Sequence, residues 1–473
     1  MSTFGGLNTA SLGLTAAQQG MNLAGQNIAN AATDGYTRQR LEQTSVSAPA
    51  RTGLSATGVR PGQGVSVDGI ARMGSSFLDA GVRSTAAQSG YAGFRSDQLQ
   101  KIEGILHEPG PQGLSTALQG FWSAWQAVSN HPGEPAPAAV LLQSAAAVKG
   151  TVSAAYSALD SQWTGARREA QSATIALNDA ASRTAGLNVT IRTILASGGS
   201  ANELIDARNQ AVESIATLAG GTVRNNSDGT VDVFVGGNAM VSGASYRQAA
   251  LTGQVAMDAP GSPVQLEWAD RPGVSAALDG GKLAGAVSVL APATAVGSGG
   301  PIAEAAASYN AFATKLMNDV NAIHRTGQTT TGATGLDFFA TDTGTPAALS
   351  LRVVPTSAAA IATGRTGAGA FDGGTADAVA QVGAAPNSPD AFWGEVVSTM
   401  GMRSSAAQQH EQLAVSASLS AVGQRSSEAS VSLDEENLSL LTHQHAYQAA
   451  ARVMTAVDEA LDVLINRTGL VGR

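Results

Sequence analysis

The chain has 473 residues, 43% of them hydrophobic but only 4% aromatic, and a net charge of -9 with a pI near 5.2. Ala, Val and Leu therefore carry most of the apolar content, which suits slim, closely packed helices in two to four domains and argues against a large aromatic-lined pocket. The acidic balance and the scattered Lys101, Lys149, Lys282 and Lys315 argue against a nucleic-acid surface or a polybasic membrane anchor, and without cysteine there can be no disulfide, thiolate metal site or cysteine nucleophile.

The first charged residue is Asp34 and the first basic one is Arg38, so a Sec signal with its basic start is not expected. Apolar stretches are interrupted by polar or Gly residues short of about 18 residues, and no transmembrane helix is expected. Written in sevens, Leu7, Leu14, Met21 and Ile28 share one heptad position, and Ala10, Ala17, Ala24 and Ala31 share the position three further on. Gly13, Gly20 and Gly25 each weaken this helix by roughly 1 kcal/mol relative to Ala, so the segment needs a partner. Asp34-Gly35 is a turn, and the helical pattern stops there.

Long Ala-rich helices are predicted over Ala86–Leu106, Leu114–Ser129, Ala138–Leu195 and Asn202–Leu218, punctuated by "HEPGPQG" and "NHPGEPAP". At Gly220 the period changes to two: Val231, Val233 and Val235 alternate after an Asp228-Gly229 turn, the pattern of a hairpin, and Gln265–Trp268 is a further strand. Helix returns over Ile302–His324, a Gly- and Thr-rich mixed segment follows to about Ala385, and helix resumes over Phe392–Ala429. The carboxy-terminal end mirrors the start. Leu433, Leu440, Tyr447, Met454 and Leu461 repeat every seven residues with Ala450, Val457 and Leu464 as companions. Ser432 is its N-cap, Asp434, Glu435 and Glu436 sit where the helix dipole favours acids, and Asn466–Gly469 ends it.

No catalytic constellation emerges. His443 and His445 are two apart, a spacing that points them to different sides of a helix, and "GAGAFDGG" and "DGGKLAG" fail the spacing of nucleotide-binding loops. "NNSDGTVD" resembles half a calcium loop but lacks the closing acid, so a hairpin turn is the better reading. An enzyme in the β-rich excursion would need a base, and the histidine available there is His324.

Two stretches carry a family resemblance. "LNTASLGLTAAQQGMNLAGQNIANAATDGYTRQRLE" closely resembles the amino-terminal signature of bacterial flagellar rod, hook and hook-associated proteins, and "VSLDEENLSLLTHQHAYQAAARVMTAVDEALDVLINRTG" resembles the matching carboxy-terminal signature. Arg38-Gln39 after Tyr36-Thr37, and "LDEEN" with "QHAYQAAARV", are most similar to the hook-associated members that join hook to filament. "NELIDARNQAVESIATLAGGTV" and "GGKLAGAV" are similar to segments flanking their β-rich domain. Asp34 stands where the family usually has Pro, and "EASVS" stands where it often has "SGV". A hook or rod protein, or a non-flagellar fibre or adhesin, is the competing reading.

The resemblance implies a mainly α protein with a β-rich insertion. Residues 1–35 with 430–473 form a terminal coiled-coil assembly domain, 36–219 with 283–325 and 391–429 an elongated helical rod, and 220–282, with 326–390 as a candidate addition, an outer β-rich domain. It implies a structural role without enzyme activity, cofactor or metal, type III export, and a place outside the cell at the hook–filament junction. Implied partners are the hook protein, a second junction protein, further copies of the chain in a ring, an export chaperone and the export apparatus, with no nucleic acid and no membrane insertion. The assembly residues are then Leu7, Ala10, Leu14, Ala17, Met21, Ala24, Ile28, Leu433, Leu440, Tyr447, Met454, Val457, Leu461 and Leu464. The motif turn comprises Asn27, Asn30, Gly35, Tyr36, Arg38 and Gln39, and Leu440, Tyr447, Met454 and Leu461 are the chaperone contact.

Overall fold

The structure is a computed structural model that describes residues 3–47, 62–294 and 297–463. The uncharged start is helix α1 (Thr3–Ala29), which unwinds through Asn30 and turns at Gly35, whose φ of 76° is one that a side chain disfavours. The chain then enters strand β1 (Gln39–Ser45), which pairs antiparallel with β2 (Val65–Arg72) from Gln39 opposite Arg72 to Ser45 opposite Val65. This hairpin corrects the reading of residues 36–219 as purely helical. Its first strand is polar and largely open to solvent, so it lacks the apolar alternation that betrays a strand, while the second, with Val65, Val67 and Ile70, is half-buried.

Helix α2 (Ser76–Leu106) begins ten residues before Ala86, because Ser75 caps it by accepting from Leu78 N and Asp79 lies in the first turn. Helices α3 (Leu114–Asn130), α4 (Pro135–Ala196) and α5 (Asn202–Ala219) follow the expected spans within three residues. The 62-residue α4 is about 90 Å long and is the spine of the molecule. It contains an 18-residue window of mean hydropathy 1.3, long and apolar enough to cross a membrane, contrary to expectation. The same helix nevertheless buries Leu141, Val148, Val152, Leu159, Trp163 and Leu177 against its neighbours, as a core helix does.

Strands β3 (Thr222–Asn225), β4 (Val231–Val235), β5 (Asn238–Ser242) and β6 (Ser245–Tyr246) form one antiparallel meander, and β7 (Ala249–Thr252), β8 (Gln265–Trp268) and β9 (Arg271–Ser275) form a second. Val231, Val233 and Val235 are all buried, and the Asp228 carboxylate closes the turn before them by accepting from Thr230 N and Thr230 Oγ1, at 3.0 and 2.6 Å. Both meanders are stitched to α4. Asn188 donates to Val231 O and Gly243 O while accepting from Val231 N, and Asn178 exchanges two hydrogen bonds with Ala249.

Helix α6 (Gly281–Leu290) leads to α7 (Pro301–His324). Beyond it, the mixed segment with α8 (Ala347–Ser350) and α9 (Gly374–Ala380) packs on α3, α4 and α7. It joins the helical body because Phe338 and Phe339 stack with Phe121, and Phe338 also with Trp125. Helix α10 (Pro389–Ala429) then runs back along α2, and α11 (Leu433–Asp462) pairs with α1. Leu464 and the expected helix end at Asn466–Gly469 lie outside the described residues.

Candidate functional site at the terminal helices

Helices α1 and α11 run antiparallel in a register that repeats every seven residues. A Cβ at Gly6 would touch Val457, one at Gly13 would touch Ala450, and one at Gly20 would fall 2.4 Å from the His443 ring. The next step of the same register brings Asn27 onto Glu436. Small residues on this edge let the two helices approach closely. Ala10, Ala16, Ala17, Leu23 and Ala24 are buried on α1, which packs on both α11 and the β1–β2 hairpin.

The large heptad residues sit otherwise than the simple seam suggested. Leu7, Leu14, Met21 and Ile28 lie on the flank, only half-buried, because the glycine line faces α11 in their place. On α11, Leu440, Tyr447, Ala450, Met454, Val457 and Leu461 lie half-buried along the face toward α1, while Leu433 is half exposed. Leu438, Leu441 and Val453 are open to solvent, at 67%, 51% and 51%.

Where the pair meets the rod, the contact is polar. Asn27 is 1% exposed and uses its whole amide. Nδ2 donates to Gln39 O at 2.9 Å and Glu436 Oε2 at 3.0 Å, and Oδ1 accepts from Tyr36 Oη at 2.8 Å and Gln39 N at 3.2 Å. Arg38 forks onto the start of α11, with Nε 2.8 Å from Glu436 Oε1 and a terminal nitrogen 2.5 Å from Glu435 Oε2. Its backbone N–H reaches Ala429 O, the end of α10. Asn30 holds the last turn of α1 by donating to Gln26 O and accepting from Thr33, and Gln210 donates to Asp34 O beside Gly35. Asn27, Tyr36, Arg38 and Gln39 thus converge on one cluster that ties α1, α10, α11 and the β1–β2 hairpin together, while Asn30 and Gly35 shape the turn beside it.

Half of this cluster was not legible beforehand. Glu436 had only the dipole reading, yet it is buried and takes both Asn27 and Arg38. Asn202, Glu203 and Asp206, at the start of α5, complete the far wall. Asn202 donates to Gln39 Oε1 and Ile70 O, Glu203 accepts from Gln26 and Gln39, and Asp206 accepts from Thr37 N while pairing with Arg72 at 2.5 Å. Their one sequence signal was membership of "NELIDARNQ". The Tyr36 phenol is raised to about 12 by burial first and then by Glu203, Asp206 and Glu436, so it stays protonated and donates to Asn27.

Ion pairs surround the cluster. Arg72 also faces Asp79 at 3.9 Å, and Arg425 reaches Glu213 at 2.8 Å and Asp79 at 3.8 Å, lining a cleft of about 860 Å³. Charges of both signs meet here in partner pairs, an arrangement suited to fixing orientation. Of the weaker candidates, His443 lies against Gly20 and His445 is exposed, so the two do not converge.

Residues 99–339, just over half of the chain, match the family described as "Flagellar hook-associated protein FlgK helical domain", and residues 424–467 match "Flagellar basal body rod FlgEFG protein C-terminal". Among curated relatives, flagellar hook-associated protein 1 of Bacillus subtilis is 28% identical over 517 aligned residues, covering 100% of both chains. The protein of the same name from Salmonella typhimurium is 30% identical over 247 residues, covering 52% of this chain and 44% of that one. Among solved structures, the flagellar hook junction protein FlgK from Burkholderia pseudomallei superposes with a TM-score of 0.63 at 14% identity, covering 75% of this chain and 100% of that one. At that identity the likeness is one of fold.

Proposed function

The chain belongs to the family of flagellar hook-associated protein FlgK, a structural component of the bacterial flagellum, and from that premise we propose that it joins hook to filament, polymerising through α1 and α11 after type III export. The observation that carries the reading is the unfinished surface of the terminal pair. Two helices side by side cannot enclose their own apolar residues, and Leu438, Leu441 and Val453 remain in water while Leu7, Leu14, Met21 and Ile28 are half covered. Neighbouring copies, with hook protein below and a second junction protein above, supply the missing cover.

Substituting Leu438 and Leu441 together by Asp tests this. The purified chain keeps its helical signal, since neither side chain is buried, while cells lose motility with hooks still built. Normal motility from that variant overturns the proposal.

Export fits the same residues. A charge-free, glycine-interrupted segment is marginal as a lone helix and gains its order from α11, so it can travel unfolded and pair on arrival. In transit, the face of α11 bearing Leu440, Tyr447, Met454 and Leu461 is the one an export chaperone covers. Chaperone binding unchanged by truncation after Val431 refutes that assignment.

A further inference from the structure

Helix α7 ends in two fully buried polar side chains, Asn321 and His324, one turn apart on the same face. Asn321 holds the chain at Phe338 and Phe339: Oδ1 accepts from both backbone N–H groups, at 2.8 and 3.0 Å, and Nδ2 donates to Phe339 O at 2.7 Å. His324 bridges two other points. Nδ1 donates to Leu336 O at 2.7 Å, which leaves Nε2 as the acceptor of Ala362 N–H at 3.0 Å. The ring is 0% exposed and packs edge-on against Trp125 of α3 and Phe338.

We propose that His324 is an acid-sensitive latch: it holds the stretch from Ala362 to Ala380 over α3 when neutral and releases it when protonated. An imidazolium has a donor on each nitrogen, so protonation sets N–H against N–H at Ala362 and removes that rung. The neighbouring rungs depend on the same strand. Thr363 O accepts from Thr375 N and Ala376 N at the start of α9, and Gly327–Gln328 pairs with Gly364–Arg365. The 338–339 rung is built from an amide and does not titrate. The latch therefore divides the mixed segment, freeing α9 from α3 while Phe338 and Phe339 stay in place.

The charged group that acts on His324 is Asp337, itself paired with Arg325 at the end of α7. Trp125 and Phe338, the rings facing it, are not titratable, and the Ala362 strand brings Arg365 and Asp372, whose carboxylate is held by Arg365 N and Gly374 N. Burial outweighs the favourable hydrogen bond and Asp337 and lowers the imidazole below its usual range. The sign follows. Closed His324 stays neutral below pH 6.5 while the released ring takes up a proton, so closure weakens as pH falls through 6.5 and goes on weakening to the lower bound value.

Hydrogen exchange of the full chain at pH 7.5 and 5.0, corrected for intrinsic rates, tests the latch. Amides from 362 to 380 lose up to about tenfold protection per pH unit below the free-histidine value, while those of Phe338 and Phe339 hold theirs. In His324→Gln the pH dependence disappears. The idea is overturned by equal protection of 362–380 at both pH values, by a uniform loss across the molecule, or by pH dependence that survives in H324Q. Should H324Q not fold, nitrogen NMR of the wild type decides: a ring that titrates at or above pH 6.5, or without a coincident change at the Ala362 amide, refutes it.

Discussion

Replacing Asn27 by Asp keeps the shape of the side chain and inverts its polarity where the terminal pair meets the rod. The Nδ2 that lies 3.0 Å from Glu436 Oε2 and 2.9 Å from Gln39 O becomes an anionic oxygen. Losing a charge-assisted hydrogen bond costs about 1.5–3 kcal/mol. Two carboxylates in contact repel by about 5 kcal/mol at an effective dielectric near 20, of which Arg38, 2.8 Å from Glu436, cancels a large part. The expected net destabilisation of the joint is ~4 kcal/mol. Adding Glu436→Gln, whose amide can donate to Asp at position 27, should recover ~2 kcal/mol, a coupling that a double-mutant cycle isolates. The assay uses urea unfolding with two probes. All five tryptophans lie between Trp122 and Trp393 and report on the rod and, through Trp268, on the second meander, whereas far-UV circular dichroism also sees α1 and α11. N27D should shift the dichroism transition and leave the fluorescence midpoint in place. Both probes moving together, or an N27D effect below about 0.5 kcal/mol, would show that Asn27 does not hold the joint.

The glycines of α1 divide into two kinds. Gly25 has open space where a Cβ would go, so Gly25→Ala should stabilise the pair by about 0.5–1 kcal/mol; Gly20→Ala meets the His443 ring and should destabilise it, with His443→Ala restoring the loss, all read by the same urea titration. Asp206→Asn removes the buried partner of Arg72 and weakens the anchor of Thr37, and should loosen the joint by about 3 kcal/mol. Small-angle scattering checks it as a larger radius of gyration at unchanged tryptophan fluorescence. Arg38→Lys keeps the charge but cannot bridge Glu435 and Glu436 together, and should lower the dichroism midpoint by about 1 kcal/mol.

The legible parts of the fold are those encoded by short-range periodicity. Helix α4 was readable to within three residues because its apolar positions recur at helical spacing over about seventeen turns of Ala-rich sequence, and β4 because Val231, Val233 and Val235 alternate after a turn. The β1–β2 hairpin was not, since "QRLEQTS" shows no inward face, nor was the start of α2, where Gly81 dilutes the helical pattern. The joint was half legible. Asn27, Tyr36, Arg38 and Gln39 stand together in one motif, but Glu436 is 409 residues from Asn27 and Asp206 is 169 from Thr37, separations over which spacing carries no information.

Asn27, Asn178, Asn188 and Asn321 perform one task in four places. Each sits on or at the end of a helix, is shielded at its amide, and offers a donor and an acceptor side by side to the backbone of the first residue of a strand, Gln39, Ala249, Val231 or Phe339. An unpaired backbone group in those places would cost about 1–3 kcal/mol, so each amide makes one docking position much more favourable than its neighbours. Apolar packing tolerates small slides, whereas paired hydrogen bonds do not. In a chain whose apolar residues are mostly Ala, Val and Leu, surfaces are smooth, and such amides supply the register that bulky side chains would otherwise give. The joint carries this furthest, because α1 and α11 are held to the rod by directional polar bonds while their own contact is lined by Gly and Ala. A terminal pair attached in that way keeps its angle to the rod fixed while Leu438, Leu441 and Val453 stay open to solvent, the face that the proposed assembly would cover.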